Sequence, residues 1–189
     1  MKSRSFQMLW LGQSFANLGD VLYIVAIISI LYEHTGSALF LAMLPFLNTF
    51  GSFISGLFAP ILLNKYRLKS LLVSSQLSKT ILLLILSILI NLQLINHVSI
   101  VLLFIFTIAF LDGWARPATS AMLPRLVTKD EILKANSFMA IIMDTIQLAG
   151  WAVGGILVAI LNGHNVIWLT LGLVVLSPGM MLGILDETS

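Results

Sequence analysis

Long apolar runs, separated by short polar segments, fill most of the sequence. A bilayer core about 30 Å thick is crossed by about 20 helical residues, and six runs reach that length. They are Phe6–Leu31, Ser37–Leu63, Leu68–Leu92, Val98–Ala121, Ser137–Leu161 and Val166–Leu185. The runs are continuous, unlike the alternating strands of a membrane β-barrel. We therefore predict an all-α polytopic membrane protein with six transmembrane helices.

The composition agrees with a chain whose main partner is the lipid bilayer. Of the 189 residues, 59% are hydrophobic and 10% are charged, whereas soluble domains carry about 25% charged residues. The absence of cysteine excludes disulfides and thiolate chemistry. Basic residues form no long cluster, so we expect no nucleic-acid partner. We also expect no cofactor and no metal site.

The basic residues predict how the spans are oriented. The segments M-K-S-R, N-K-Y-R-L-K and P-R-L-V-T-K-D-E-I-L-K carry most of them, and the intervening connections carry none. Lysine and arginine are retained on the cytoplasmic side during insertion. We therefore expect a multi-pass protein of the cell membrane with both termini in the cytoplasm.

Five ionisable residues fall inside the predicted spans: Asp20, Lys79, Asp112, Arg116 and Asp144. Such residues are rare within the bilayer, tend to face a cavity or a partner, and are candidates for function. Three acids against two bases leave one carboxylate over if all possible pairs form. That surplus acid is a candidate proton carrier, with Asp20 as the first choice.

Asp20 ends a polar stripe on the first span. Gln13, Asn17 and Asp20 follow i, i+4, i+7 spacing, which places them on one face of a helix. The stripe is typical of a water-filled cavity, although a buried hydrogen-bond network between helices would show the same spacing. We predict that these residues line the path of substrate and protons.

The other charged positions allow both a functional and a structural interpretation. Lys79 lies near the middle of the third span, so we expect it to point inward to a carboxylate. Asp112 and Arg116 are spaced i, i+4 and could pair on one face, or Arg116 could reach the headgroups. Asp144 shares a helical face with Gln147 and Trp151. We include Lys79, Asp112, Asp144 and Gln147 in the predicted pathway.

Several stretches resemble the major facilitator superfamily, particularly its drug-efflux branch, which includes macrolide-efflux-like proteins. W-L-G-Q-S-F-A-N-L-G-D (Trp10–Asp20) resembles that branch's first helix, and T-G-S-A (Thr35–Ala38) the start of the second. The most specific match is R-P-A-T-S-A-M-L-P-R-L-V-T-K-D-E-I-L-K-A-N-S (Arg116–Ser137), which resembles the end of helix 4, the inner loop and the start of helix 5.

Two further motifs resemble the family but depart from it. G-W-A-V-G-G (Gly150–Gly155) resembles the antiporter motif G-P-x-x-G-G, with Trp151 in place of proline. The resemblance predicts helix packing through Gly150, Gly154 and Gly155, as glycines in any membrane helix would also allow. The cytoplasmic loop motif D-R-x-x-R-R is matched by N-K-Y-R-L-K, which supplies Asn64, Lys65, Arg67 and Lys69. Asn64 stands where that motif has an acid, and the family's helix-4 arginine is missing.

The resemblance implies half of a transporter. Family members have two six-helix halves, each built of inverted three-helix repeats. We expect residues 1–94 and 95–189 to be two such repeats within one six-helix domain, the N-terminal half of a proton-coupled efflux transporter. Its partners would be a small amphipathic substrate and either the missing C-terminal half or a second copy of the chain.

Two other functions remain open. A self-assembling six-span transporter or channel would need self-complementary faces that include Gly51, Gly56, Gly150 and Gly154. A non-transporting membrane folding unit or scaffold would bind no substrate. We do not expect an enzyme, because neither G-x-S-x-G nor H-E-x-x-H occurs in the sequence.

Overall fold

A computed structural model describes residues 4–92 and 98–184, and its secondary structure is helical. The helices are α1 (Arg4–Thr35), α2 (Leu39–Lys65), α3 (Leu68–Asn91), α4 (Val98–Asp112), α5 (Ala115–Leu126) and α6 (Ile132–Leu182). A 3-10 turn, Lys129–Glu131, precedes α6. Only Gly113 and Trp114 separate α4 from α5, and this break coincides with a close approach of Gly113 to Ser55 of α2.

Within the described residues, five helical segments are long and apolar enough to cross a membrane. The helices α1, α2 and α3 and the combined α4–α5 match the first four predicted spans. The predicted count of six helices is not matched, because the fifth predicted span and most of the sixth lie in one continuous helix, α6, which is 51 residues long. The predicted repeat boundary at residues 94 and 95 and the predicted end at Leu185 lie outside the described residues.

The backbone of α6 departs from helical dihedral angles at a single position, Asn162. Its φ of 66° and ψ of 154° are not helical, and asparagine tolerates positive φ better than most residues. We call 132–161 the first arm and 163–182 the second arm. The first arm advances along α1: Gly150 lies against Val21, and Gly154 lies against Val25.

The second arm returns along α1 in the opposite direction. Val174 contacts Gly19, and Met181 contacts Gly12, 3.2 Å from the position that a Cβ would take there. Increasing residue number in this arm therefore corresponds to decreasing residue number in α1. The chain reverses at Asn162, so both arms pack along the same helix.

Two apolar clusters form the core, one at each end of the bundle. The proximal cluster consists of Phe6, Leu9, Leu68, Leu71, Leu72, Ala115, Ala118, Met122, Leu123, Ala135, Met139, Met181 and Ile184. The distal cluster consists of Tyr23, Ile24, Ala26, Ile27, Ile30, Leu31, Leu44, Leu83, Leu86, Ile90, Val101, Ile105, Ile108, Val166, Ile167, Leu171 and Val174. Successive segments of the chain pass from one cluster to the other, and a layer containing polar side chains lies between the clusters.

Glycine allows close packing of α2 against α4. A Cβ on Gly51 would lie 2.9 Å from the carbonyl oxygen of Phe106 and 3.0 Å from the Cβ of Ala109. Gly56, one and a half turns further along α2, has no atom within 4 Å of its Cβ position. These two glycines of one helix therefore differ in packing while sharing backbone conformation.

We expect Gly51→Ala to lower the free energy of unfolding by about 1–3 kcal/mol, because backbone atoms of α4 must move to admit the methyl group. Gly56→Ala is the matched control and should be neutral or stabilising by up to about 1 kcal/mol, because alanine is the better helix former. Unfolding in mixed micelles, followed by circular dichroism, measures both. Equal destabilisation of the two variants would contradict this packing.

Candidate functional site

The layer between the two clusters contains a buried ammonium shared by two carboxylates. Lys79 Nζ lies 2.9 Å from Asp20 Oδ1, 3.1 Å from Asp20 Oδ2 and 3.3 Å from Asp112 Oδ2. We call Asp20, Lys79 and Asp112 the ion trio. The expected inward pairing of Lys79 is present, and it involves both acids.

The sequence of α3 places Lys79 in the interior. Five of its fully buried side chains recur at alternating spacings of four and three residues, which is one face of a helix. They are Leu72, Gln76, Lys79, Leu83 and Leu86. Leucines on both sides of the polar pair seal it from the two ends of the bundle. The ammonium can therefore be neutralised only by side chains of neighbouring helices.

The ion trio carries one excess negative charge when all three groups are ionised. The side chain of Lys79 is 0% exposed, whereas those of Asp20 and Asp112 are 27% and 21% exposed. Burial of an unpaired charge costs several kcal/mol, so the excess charge needs contact with a polar medium. The carboxylates have that contact because both border a cavity.

The cavity has a volume of about 330 Å³ and lies between α1, α2, α4, α5 and the first arm of α6. Its polar lining residues are Gln13, Asn17, Asp20, Tyr23, Asn48, Thr49, Ser52, Asp112, Arg116 and Gln147. Apolar lining residues include Val21, Ile24, Pro45, Ile108 and Trp151. The site is therefore a mixed surface on which one end of a molecule can meet polar groups and the other end apolar ones.

The three residues of the predicted stripe on α1 all line this cavity. Gln13 donates to Thr119 Oγ1 at 2.7 Å. Asn17 donates to the carbonyl of Gln13 at 2.8 Å and contacts Met143 Sδ at 3.1 Å. Both interpretations of the stripe apply, since the same side chains border a cavity and bond to neighbouring helices.

A second polar stripe lies on α2 and was not singled out from the sequence. Asn48 and Ser52 line the cavity, and Tyr23 donates to Asn48 Oδ1 at 2.9 Å. Asn48, Ser52 and Ser55 repeat the i, i+4, i+7 spacing that is found on α1. This spacing was therefore a signal by which the α2 wall of the cavity could have been predicted.

The remaining predicted residues divide between the cavity and the outside of the bundle. Arg116 and Gln147 line the cavity as exposed side chains. No ion pair between Asp112 and Arg116 occurs in the described part of the chain, where Asp112 bonds to Lys79 and Gln76. Asp144 is exposed on the first arm and lies outside both the ion trio and the cavity lining.

The glycines of the first arm differ in their surroundings. Cβ positions on Gly150 and Gly154 lie 3.2 Å and 3.3 Å from side-chain atoms of α1, so these two glycines are at a helix contact. Gly155 has no atom within 4 Å of its Cβ position. No contact within the bundle therefore supports the predicted role of Gly155 in helix packing.

The predicted cytoplasmic loop motif joins α2 to α3. Asn64 and Lys65 end α2, and Arg67 immediately precedes α3. Lys69 Nζ donates to the carbonyl oxygen of Ile184 at 2.7 Å. The last of these residues therefore ties the start of α3 to the end of the second arm.

Within residues 4–92 and 98–184, no group of three or more histidine, aspartate or glutamate side chains could hold a metal ion. Asp20 and Asp112 are instead occupied by the ammonium of Lys79.

We expect Lys79→Met to lower the free energy of unfolding by about 3 kcal/mol. This is the low end of the range for breaking a buried ion pair, because both carboxylates open onto the cavity. Lys129→Met, at an exposed position in the 3-10 turn, should change it by less than about 0.5 kcal/mol. Unfolding curves in mixed micelles measure both. Similar values for the two variants would show that the ion trio does not stabilise the bundle.

Comparison with known proteins identifies the family. The chain matches the Major Facilitator Superfamily over residues 9–188. It is 28% identical over 171 residues to the uncharacterized MFS-type transporter YfmI of Bacillus subtilis, covering 89% of this chain and 42% of that protein. It is 26% identical over 149 residues to the uncharacterized MFS-type transporter YjbB of the same organism, covering 79% of this chain and 37% of that protein.

The chain thus spans about two fifths of the length of these two relatives. No solved structure matches it. Both relatives are named as transporters, and the five apolar segments found in the described residues are long enough to cross a membrane. This chain belongs to the major facilitator superfamily.

Proposed function

We propose that the chain forms one half of a proton-coupled secondary transporter that exports small amphipathic compounds by alternating access. The observation that carries this proposal is the ion trio at the wall of the cavity. An excess carboxylate that is accessible to water on one side and paired to a buried ammonium on the other is suited to binding and releasing a proton.

Lys79 would compensate for changes in the charge of Asp20. When a proton from the cavity neutralises Asp20, its two contacts with the ammonium weaken, and Lys79 keeps Asp112 as its counter-ion. When the proton leaves, Asp20 regains the ammonium. The site then alternates between two states without leaving Lys79 unpaired, which is the property a coupling site in the bilayer requires.

The cavity lining supports an amphipathic substrate. Trp151 and Ile108 offer apolar surface, and Gln13, Asn17 and Gln147 offer amide groups that can donate or accept hydrogen bonds. Such a mixed wall can hold compounds that combine an apolar body with polar groups. We assign the chain to the drug-efflux branch on this ground and on the sequence motifs quoted above.

The partner in this proposal is a second bundle that closes the cavity. In inverted-repeat transporters, substrate lies near the midplane between two such units. In this proposal α6 supplies two crossings on either side of the reversal at Asn162. The chain would then have six crossings, divided into repeats at 1–94 and 95–189. Both termini would then face the cytoplasm from the cell membrane.

A second copy of the chain is a less suitable partner than a different bundle, because the glycine surface predicted for self-association is largely occupied. Gly51 packs against α4, and Gly150 and Gly154 pack against α1. Three of the four glycines expected to form a self-complementary face are therefore used within the bundle. A non-transporting scaffold would leave the alignment of polar residues around the cavity without a role.

We expect Asp20→Asn to reduce proton-driven flux by about tenfold or more, equivalent to at least about 1.4 kcal/mol, because the amide cannot carry the proton. Ethidium flux in proteoliposomes that contain the chain together with its second bundle, with and without a pH gradient, measures this. Asp130→Asn, in the exposed 3-10 turn, is the control and should retain wild-type flux. The proposal fails if wild-type flux ignores the gradient or if Asp20→Asn preserves the response.

A further inference from the structure

A buried glutamine bonds to one of the two carboxylates and not to the other. Gln76 Nε2 donates to Asp112 Oδ1 at 2.8 Å. The Gln76 amide oxygen accepts from Ser177 Oγ, on the second arm of α6, at 3.4 Å. Gln76 and Ser177 are both 0% exposed. The amide is thus held between α4 and the second arm, away from the water of the cavity.

The chemistry of its neighbours sets the orientation of this amide. An ionised carboxylate can only accept hydrogen bonds, so the NH₂ group of Gln76 must face Asp112. The amide oxygen then faces Ser177, whose hydroxyl can donate. A reversed amide would place two acceptors against each other at Asp112. With Asp112 ionised, this orientation satisfies both ends of the amide.

The two acids of the ion trio consequently have different sets of donors. In the described part of the chain, hydrogen bonds to the Asp20 carboxylate come from Lys79 alone. Asp112 receives Lys79 at one oxygen and Gln76 at the other. A hydrogen bond from a neutral donor to a charged acceptor favours the charged form. If its contact with Lys79 is lost, Asp112 still accepts a hydrogen bond from Gln76. Asp20 would then have no donor among the described residues.

We infer that Gln76, held by Ser177, is a positioning residue that keeps Asp112 ionised and directed at Lys79, so that only Asp20 exchanges its proton. Gln76 acts through Asp112. This inference rests on the proposed proton coupling and divides the work between the two acids. Asp112 is the standing counter-ion of Lys79, and Asp20 is the exchanging one.

Few other charged or titratable groups surround this network in the described part of the chain. Tyr23 on α1 and Arg116 on α5 border the same cavity. The wall residues contributed by α2 and by the first arm of α6 are uncharged. In the second arm, Ser177 itself is the group that faces Gln76. The choice between the two acids therefore depends chiefly on Lys79 and Gln76.

Infrared titration of the protein in lipid nanodiscs tests the inference without a known substrate. In the wild type, acidification should produce carboxylic-acid C=O absorption from several acids, with one component that Asp20→Asn removes and Asp112→Asn does not. Gln76→Met keeps the side-chain length but has no donor. In this variant a further component, which depends on Asp112, should appear at the same pH, because Asp112 loses the bond that favours its charged form. Adding Asp112→Asn should remove this further component.

Further variants separate positioning from folding. Ser177→Ala should produce the same Asp112-dependent component at lower amplitude, because it frees the Gln76 amide without deleting it. This variant replaces Gln76→Met as the test if Gln76→Met does not fold. Gln7→Met, at an exposed position of α1, should leave the wild-type absorption without an added component. A merely structural role for Gln76 would alter stability but would add no component.

The inference is overturned if neither Gln76→Met nor Ser177→Ala adds a component that depends on Asp112, or if the wild-type component disappears in Asp112→Asn instead of Asp20→Asn. Absence of any wild-type component that depends on Asp20 also overturns it. Proton coupling is judged separately by the ethidium flux assay. A gradient-independent wild type would reject the transport mechanism, whereas the Asp112-dependent component would still report what Gln76 does to Asp112.

Discussion

The pairing of the Lys79 ammonium with two carboxylates is the interaction on which the arrangement of the helices depends. A charge at the centre of a bilayer is costly unless it is paired, and Lys79 is completely buried. Its contacts of 2.9 to 3.3 Å require α1, α3 and α4 to meet at one level. The apolar clusters on either side can then form only at the two ends of the bundle. The polar layer therefore fixes the register in which these three helices pack.

The same pairing explains why the bundle has a cavity rather than a continuous core. Two acids and one base leave an excess negative charge, which a dry interior could not accommodate. Asp20 and Asp112 are partly exposed, whereas Lys79 is not, so the excess charge lies on the side that faces the cavity. Amide and hydroxyl groups from α1 and α2 continue this polar wall. One arrangement therefore pairs the buried ammonium and leaves both carboxylates in contact with the cavity.

The sequence predicted which residues carry charge within the bilayer, because a charge in an apolar run is visible without knowing its neighbours. The α1 stripe was visible for the same reason, through its spacing. The sequence did not predict that Lys79 joins Asp20 to Asp112, because pairing depends on how each helix is rotated and how closely it packs. Gln76 was visible only as a neighbour of Lys79, and Ser177 lies 101 residues away from it along the chain. The chain reversal at Asn162 replaced an expected polar loop, since a single residue with positive φ was enough.

That reversal connects the backbone to the chemistry of the site. It returns the second arm along α1, where the absence of a side chain at Gly19 admits Val174 and the absence of one at Gly12 admits Met181. Ser177 lies between these two contacts, so its distance from α3 is set by how closely the second arm approaches α1. A side chain at Gly19 would meet Val174 and push the arm outward, which would withdraw the Ser177 hydroxyl from Gln76. The difference between the two carboxylates therefore depends on backbone packing at some distance from both acids. A change in helix packing would thus alter the orientation of the Gln76 amide and, through it, the hydrogen bond to Asp112.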